Sequence, residues 1–151
     1  MEQLPPATQE GRNTFGCLVN GEIWIPQGYN GTANLDLSYD PGYRGGTFNL
    51  SAYNYFGNGD DDKQTISIYS DSLKREATYL LNDPEHAAPL FNDRSTGCSY
   101  YRESNVFREG SLTITRFDLE NQVISGTFEF TLAKPGCDTI RVTEGRFDMK
   151  I

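Results

Sequence analysis

The fold class follows from the stretch ISGTFEFTL, which spans residues 124–132. Its even-numbered positions carry apolar residues or glycine, and its odd-numbered positions carry serine, threonine or glutamate. Successive side chains of an extended strand point to opposite faces of a sheet. The alternation therefore predicts a β-strand with one buried face and one solvated face, an arrangement common in antiparallel sheets.

The stretches on either side keep the period of two but change parity once each. Upstream, apolar residues occupy even positions as far as Ile114 and odd positions afterwards, which indicates a β-bulge near Arg116. Downstream, Val142 is followed by apolar residues on odd positions, with Gly145 at the change of parity. We expect three strands in a meander, with one bulge in each outer strand.

Turn signals divide the rest of the chain into further short strands. Asn20-Gly21 is a strong hairpin signal between two alternating runs, and Asp40-Pro41-Gly42 ends another run. At this spacing we expect about nine or ten strands, which is typical of all-β folds. We predict an antiparallel β-sandwich, with an up-and-down β-barrel as the alternative.

Residues 71–93 fit two patterns. The apolar residues between Leu73 and Leu81 are spaced as on one face of a helix, but some of them also alternate as in a strand. Because the neighbouring segments on both sides are strands, we predict a strand at 76–82 and a loop at 83–89.

Length and charge limit the organisation of the chain and its partners. A chain of 151 residues suits one compact domain. Residues 1–12 are polar, contain two prolines and show no period, which predicts a flexible tether before a single all-β domain at 13–151. A formal net charge of −8 repels phosphate backbones, so we expect no nucleic-acid partner. The longest apolar runs are far shorter than the ~20 residues of a membrane-spanning helix.

Three cysteines, Cys17, Cys98 and Cys137, leave at least one thiol unpaired within the chain. They form no C-x-x-C motif and the only histidine is His86, so we expect no metal site and no cofactor. If the protein is exported, one disulfide can form, and Cys17 with Cys137 is the first choice because both lie in turn-rich segments. The alternative is that all three are small, partly buried apolar residues.

Four tyrosines are the candidate ligand-binding residues. Tyr53 and Tyr55 share one face of their predicted strand, and at least one of the adjacent Tyr100 and Tyr101 should point outward. Tyrosine rings beside acidic and amide groups can stack on sugar rings, which would make the domain a carbohydrate-binding module. The alternative is that these rings pack against a second sheet or under loops.

His86 is the residue on which any serine, cysteine or histidine mechanism would depend. It lies in a proline-flanked loop, and the chain has no hydrolase, phosphate-loop or dinucleotide motif. Nothing in the sequence supports pairing it with Cys98 or Ser99. A small hydrolase centred on His86 is therefore a third hypothesis, which requires a pocket with a carboxylate beside this histidine.

Four motifs carry a family resemblance: NTFGCLVNG at 13–21, GSLTITRFD at 110–118, ISGTFEF at 124–130 and TEGRFD at 143–148. They resemble uncharacterised secreted lipoprotein domains of Bacteroidota. The resemblance implies a lipid-modified cysteine upstream of Glu2 and a place in the cell envelope at the outer membrane, on its periplasmic or its surface side. It carries no assigned activity and no catalytic residues.

These observations together favour a non-catalytic extracytoplasmic lipoprotein domain of unknown ligand, and we expect no enzyme activity. A glycan or an envelope protein is the expected partner. The membrane would be reached only through a lipid anchor that lies outside this sequence.

Overall fold

The computed structural model describes residues 3–28 and 33–151. Within these residues the chain forms eleven β-strands and no helix. The strands are β1 (Thr14–Val19), β2 (Glu22–Trp24), β3 (Leu35–Asp40), β4 (Thr47–Tyr55), β5 (Lys63–Ser70), β6 (Thr78–Leu80), β7 (Ala87–Asp93), β8 (Cys98–Tyr100), β9 (Phe107–Asp118), β10 (Val123–Ala133) and β11 (Ile140–Lys150).

The strands form two antiparallel sheets that face each other. The six-stranded sheet has the order β2-β1-β11-β10-β9-β6, and the five-stranded sheet has the order β3-β4-β5-β7-β8. Because the two sheets stay separate, the predicted β-sandwich is confirmed and the closed up-and-down alternative is wrong. The Asn20-Gly21 hairpin is also confirmed, since it connects β1 to β2 with both residues at positive φ.

One core lies between the sheets. Phe48 of the five-stranded sheet and Phe147 of the six-stranded sheet meet across it, with ring centroids 5.7 Å apart. Phe128 packs beside Phe15 at 5.2 Å and beside Phe147 at 6.4 Å. Burial of each such ring contributes roughly 1.5–3 kcal/mol, so the apolar positions of the alternating pattern hold the two layers together.

Both predicted β-bulges are present. On β9 the extra residue is Thr115, next to Arg116. On β11 the extra residue lies between Val142 and Gly145, opposite Glu129. An extra residue moves the following side chains to the opposite face, which explains the two changes of parity in the sequence.

The ambiguous segment is extended rather than helical. The strand predicted at 76–82 contains β6, but the loop predicted at 83–89 is wrong in its second half because β7 begins at Ala87. Pro89 lies inside β7, opposite Ile68 of β5. β8 pairs only with the last three residues of β7, so among the described residues Pro89 has no neighbouring strand on the side of β7 that faces away from β5. Proline has no N–H to donate, and on that side no described strand is present to accept a hydrogen bond.

A disulfide joins the two sheets. Cys98 on β8 is bonded to Cys137 in the turn between β10 and β11, with Cα atoms 6.0 Å apart. The predicted pairing of Cys17 with Cys137 is therefore wrong. Cys17 is a free, fully buried residue of β1, and burial raises the pKa of its thiol to about 12 despite the opposing effect of Arg146.

Two hydrogen bonds accompany the disulfide at the same junction. The Tyr100 hydroxyl donates to the carbonyl of Asp138 at 2.5 Å, and the Lys134 ammonium donates to the carbonyl of Ser99 at 2.9 Å. Both bonds connect β8 to the β10–β11 turn. The outer edge of the five-stranded sheet is thus attached to the other sheet by one covalent and two polar links.

Residues 4–12 lie against the outer face of the six-stranded sheet, and we call them the N-terminal strap. Asp148 follows the core residue Phe147 on β11, so its side chain points to this outer face, where it is 1% exposed. Its carboxylate accepts a hydrogen bond from the Thr8 hydroxyl at 2.6 Å. It also accepts bonds from the backbone amides of residues 10–12 at 2.7 to 3.1 Å.

A fifth hydrogen bond reaches the same carboxylate from within the sheet, because the Ser125 hydroxyl donates to Asp148 at 2.7 Å. Burial by itself raises the pKa of Asp148, but the hydrogen bonds outweigh that effect and hold the pKa well below its usual range. The carboxylate therefore stays charged in its covered position.

Two arginines bind the strap on either side of this contact. Arg146 donates to the carbonyl of Pro5 at 3.0 Å, and Arg116 donates to the carbonyl of Gln9. The flexibility predicted for residues 1–12 concerns motion and stays a prediction. The structure shows residues 4–12 docked on the sheet.

Candidate ligand-binding surface

Four strands of the five-stranded sheet, β4, β5, β7 and β8, have an outer face that differs in composition from the rest of the chain. Residues that alternate with core residues on β4, β5, β7 and β8 point outward there. They are Thr47, Asn49, Ser51, Tyr53, Tyr55, Lys63, Thr65, Ser67, Tyr69, Ala88, Leu90, Asn92 and Ser99, of which Tyr69 and Ala88 are themselves buried. None of them is acidic, although the whole chain has 21 Asp and Glu residues. We call this surface the tyrosine face.

Tyr53 and Tyr55 form a pair at one end of the tyrosine face, as their spacing in β4 predicts. Their ring centroids are 6.2 Å apart and the ring planes differ by 23°. Lys63, directly opposite Tyr55 on β5, places its Nζ 4.7 Å from the Tyr53 centroid and 5.4 Å from the Tyr55 centroid. The ammonium group is attracted to the negative ring faces, which restrains the two rings and the lysine together.

Hydroxyl and amide groups continue the surface beyond the tyrosine pair. Ser51 and Ser67 lie opposite each other with their hydroxyl oxygens 3.0 Å apart, and the Ser99 hydroxyl donates to the Asn92 side-chain oxygen at 2.8 Å. Each hydroxyl keeps an unused lone pair, and the Asn92 amide keeps its N–H donors. This set of neutral donors and acceptors matches the hydroxyl groups of a sugar.

The second predicted tyrosine pair is split between the core and the surface. Tyr100 is 1% exposed and packs against Phe91 inside the sandwich, with ring centroids 6.0 Å apart. Its assignment to a ligand site is wrong, because a buried ring cannot stack on a sugar. Tyr101 follows β8 and is 39% exposed, so it remains available to a ligand.

His86 lies beside a carboxylate, as the hydrolase hypothesis requires. Its Nδ1 is 3.3 Å from the Asp71 carboxylate, which also lies 3.6 Å from the Arg44 guanidinium. A surface pocket of about 560 Å³ contains these three residues together with Ser72 and Arg102. Asp71 follows β5 and His86 precedes β7, and the Asp71 amide donates to the His86 carbonyl at 2.7 Å.

Cys98 and Ser99, the two nucleophiles considered as partners of His86, are engaged elsewhere. Cys98 is in the disulfide, and the Ser99 hydroxyl is bonded to Asn92 on the tyrosine face. Within residues 3–28 and 33–151, the His86 ring forms its hydrogen bond with Asp71. The geometry therefore supplies a histidine and a carboxylate without a hydroxyl or thiol bonded to the histidine in that part of the chain.

The described residues contain no group of three His, Cys, Asp or Glu side chains that could hold a metal ion. Asp62 of the acidic run at 60–62 instead accepts a hydrogen bond from the amide of Gly59. In the same part of the chain, no helix is long and apolar enough to cross a bilayer.

A family model described as a domain of unknown function, DUF6252, matches residues 13–149. The chain belongs to the DUF6252 family. No curated protein and no solved structure matches it. The matched residues run from the start of β1 almost to the end of β11, so the DUF6252 domain comprises the whole sandwich. The N-terminal strap precedes the match.

Sequence reasoning found the aromatic residues of the DUF6252 surface but missed its charged ones. Lys63 was detectable only approximately: residues equally spaced about the middle of the connection at 56–62 pair across the hairpin, which places Lys63 opposite Tyr55, whereas the polar turn at 57–62 alone would place it opposite Phe56. Asp71 had no such signal. Its approach to His86 depends on the pairing of β5 with β7, a strand that Pro89 concealed.

Proposed function

We propose that this DUF6252 domain is an exported, non-catalytic lipoprotein domain of a Bacteroidota cell envelope, anchored at the outer membrane by a lipid attached upstream of Glu2. The four motifs of the sequence support the lipoprotein and its bacterial origin through their resemblance to such domains. The observation that carries the proposal is the Cys98–Cys137 disulfide.

The disulfide supports export because of where such bonds persist. Disulfides are stable in the periplasm and outside the cell, whereas cytosolic thiols are kept reduced. The bond connects an edge strand of one sheet to a turn of the other, as a structural disulfide does, and it leaves the remaining cysteine, Cys17, buried and out of exchange.

Thiol counting in the cells that produce the protein from its natural gene tests the export proposal. We expect a denatured, unreduced sample to take up maleimide-polyethylene glycol at Cys17 alone, and a reduced sample to take it up at all three cysteines. Cell fractionation and labelling with an alkyne fatty acid should place the lipidated protein in the outer membrane.

A matched control is the variant with Cys98→Ser and Cys137→Ser, which has one thiol before and after reduction. Three labelled thiols without reductant would contradict export. The engagement of Cys98 and Ser99 away from His86 supports the non-catalytic part of the proposal. Hydrolytic turnover that disappears in His86→Ala would contradict that part.

The ligand that the tyrosine face favours is a carbohydrate. The specific observation is the restrained Tyr53–Tyr55 pair, which lies beside rows of neutral hydroxyl and amide groups. Sugar rings present C–H faces that pack on aromatic rings and hydroxyl groups that bond to such side chains. Because two rings held in one orientation lose little entropy on binding, the pair is a preorganised platform.

Glycan-array screening followed by calorimetry tests this assignment. We expect Tyr53→Ala with Tyr55→Ala to weaken binding of the selected oligosaccharide by about tenfold or more, since each stacking contact contributes on the order of 1 kcal/mol. Phe107→Ala is the matched control, because Phe107 is an aromatic residue on the other sheet that is 53% exposed. Equal losses in both variants, or no glycan binding, would contradict the carbohydrate assignment.

A further inference from the structure

The charges on the tyrosine face itself are unlike those of the chain as a whole, although acidic residues lie in the loops and the strand that border it. The outward positions of β4, β5, β7 and β8 carry no carboxylate, in a protein with a formal net charge of −8. The acidic residues of the sheet's outer face lie on the edge strand β3, at Asp36 and Asp40. A ligand that lies across the other four strands therefore meets no negative side chain from the face itself.

Cations stand at both ends of this face. At one end Lys63 lies over the Tyr53 and Tyr55 rings. At the other end Arg102 lies over the Tyr69 ring, with its Cζ 4.7 Å from the ring centroid. Tyr69 follows Lys63 by six positions on β5, so the two cations stand roughly 20 Å apart along the strand.

Among the described residues, the ion pairs involve other basic groups, and neither Lys63 nor Arg102 has a carboxylate partner. Each is restrained instead by a tyrosine ring, which attracts a cation without cancelling its charge. Their N–H groups remain able to donate to an anion from solvent, and Arg102 can do so through two parallel bonds.

These two cations favour a negatively charged ligand over a neutral sugar. We propose that the ligand of the tyrosine face is an acidic glycan, in which pyranose rings stack on Tyr53 and Tyr55 while carboxylate or sulfate groups pair with Lys63 and Arg102. The inference rests on the carbohydrate assignment made above. It adds the charge of the ligand and a length that spans both ends of β5.

Arg102 also borders the pocket that contains Arg44, Asp71 and His86. Asp71 lies close to both Arg44 and His86, so its negative charge already offsets that of the Arg44 guanidinium. Glu85 lines the same pocket as an exposed residue at its rim. The terminal acid group of the glycan therefore pairs with Arg102, and Glu85 opposes it from the rim.

Calorimetric titration with two ligand series tests the inference. One series is an oligouronate, as dimer and hexamer, and the other is a neutral oligosaccharide of the same lengths. We expect the hexauronate to bind at least about fivefold more tightly than the neutral hexamer at an ionic strength of about 0.01 M. The difference should shrink at about 0.15 M, where exposed charges are screened.

Charge removal at each end then locates the acid groups. Lys63→Met should weaken binding of both uronates by about fivefold more than it weakens binding of the neutral series, to which Lys63 contributes only by restraining the two rings. Arg102→Met should weaken the hexamer only, because a dimer on the tyrosine pair does not reach the far end. Glu85→Gln should tighten the hexamer, and Lys150→Met on the other sheet is the matched control. Thermal melting confirms that each variant is folded.

The possible results distinguish the acidic character of the ligand from the carbohydrate assignment on which it rests. Equal affinity for neutral and acidic series, with loss in the Tyr53→Ala and Tyr55→Ala variant, overturns the acidic ligand and keeps the carbohydrate. Absence of binding in both series overturns both. Uronate binding that responds equally to Lys63→Met and Lys150→Met is non-specific attraction to charge and overturns the proposed site.

Discussion

Replacement of Cys98 and Cys137 together by serine is expected to lower the free energy of unfolding by about 2–4 kcal/mol. The bond joins residues separated by 39 positions, so in the unfolded chain it closes a long loop whose entropy the variant regains. It also joins an edge strand of one sheet to a turn of the other. The Tyr100 and Lys134 hydrogen bonds at the same junction remain, so we expect the sandwich to persist.

Urea unfolding followed by circular dichroism measures this effect. Addition of reductant should lower the midpoint of the wild type to that of the double variant and should leave the double variant unchanged. This comparison separates the bond from any effect of the serine side chains. A wild-type midpoint that does not respond to complete reduction would show that the bond contributes no stability.

Replacement of Asp148 by alanine is the second large effect we expect, with a loss of about 2–4 kcal/mol. Alanine removes a buried carboxylate that accepts five hydrogen bonds, from the Ser125 hydroxyl, the Thr8 hydroxyl and the amides of residues 10–12. Hydrogen bonds to a charged group contribute more than neutral ones. The strap can detach and expose its amides to water, which keeps the loss below the sum of five bonds.

The strap's amide protons report this change directly. In the wild type, hydrogen exchange at Glu10 and Gly11 should be slow, and in Asp148→Ala it should approach the rate of an unfolded chain. Thr8→Val is the matched control, since it removes one of the five bonds and should cost about 1 kcal/mol while the strap stays bound. Unchanged exchange in Asp148→Ala would contradict the role of this carboxylate in holding the strap.

Asp148 also sets a dependence on pH. Its pKa in the folded protein is lowered, so its contribution to stability is present above the pKa of an unfolded aspartate, about 4, and is lost as the pH falls through the folded value. The binding of the strap should therefore weaken progressively as the pH falls below about 4. Asp118, whose pKa is lowered by hydrogen bonds from Asn121 and Arg116, adds to the same slope. Asp148→Asn should show a shallower slope than the wild type.

Local patterns predicted the parts of the fold that depend on residues near one another in the chain. The two changes of parity located the bulges beside Arg116 and Gly145, since an extra residue shifts every following side chain by one face. The pairing of Tyr53 with Tyr55 follows from the same alternation. β7 was missed because Pro89 reads as a strand breaker, although the short β8 leaves that position without a neighbour.

The amino-acid sequence alone determined the all-β class, the bulges, the first hairpin and one ring pair of the candidate surface, because each depends on alternation within a strand or on a turn of a few residues. The tertiary structure decided the rest. It joined Cys98 to Cys137, covered Asp148 with residues 8–12 and set Lys63 and Arg102 at opposite ends of one acid-free face. These contacts depend on which strands are neighbours in each sheet and on how the two sheets are stacked. The alternation of side chains within a single strand indicates neither the strand order nor the stacking.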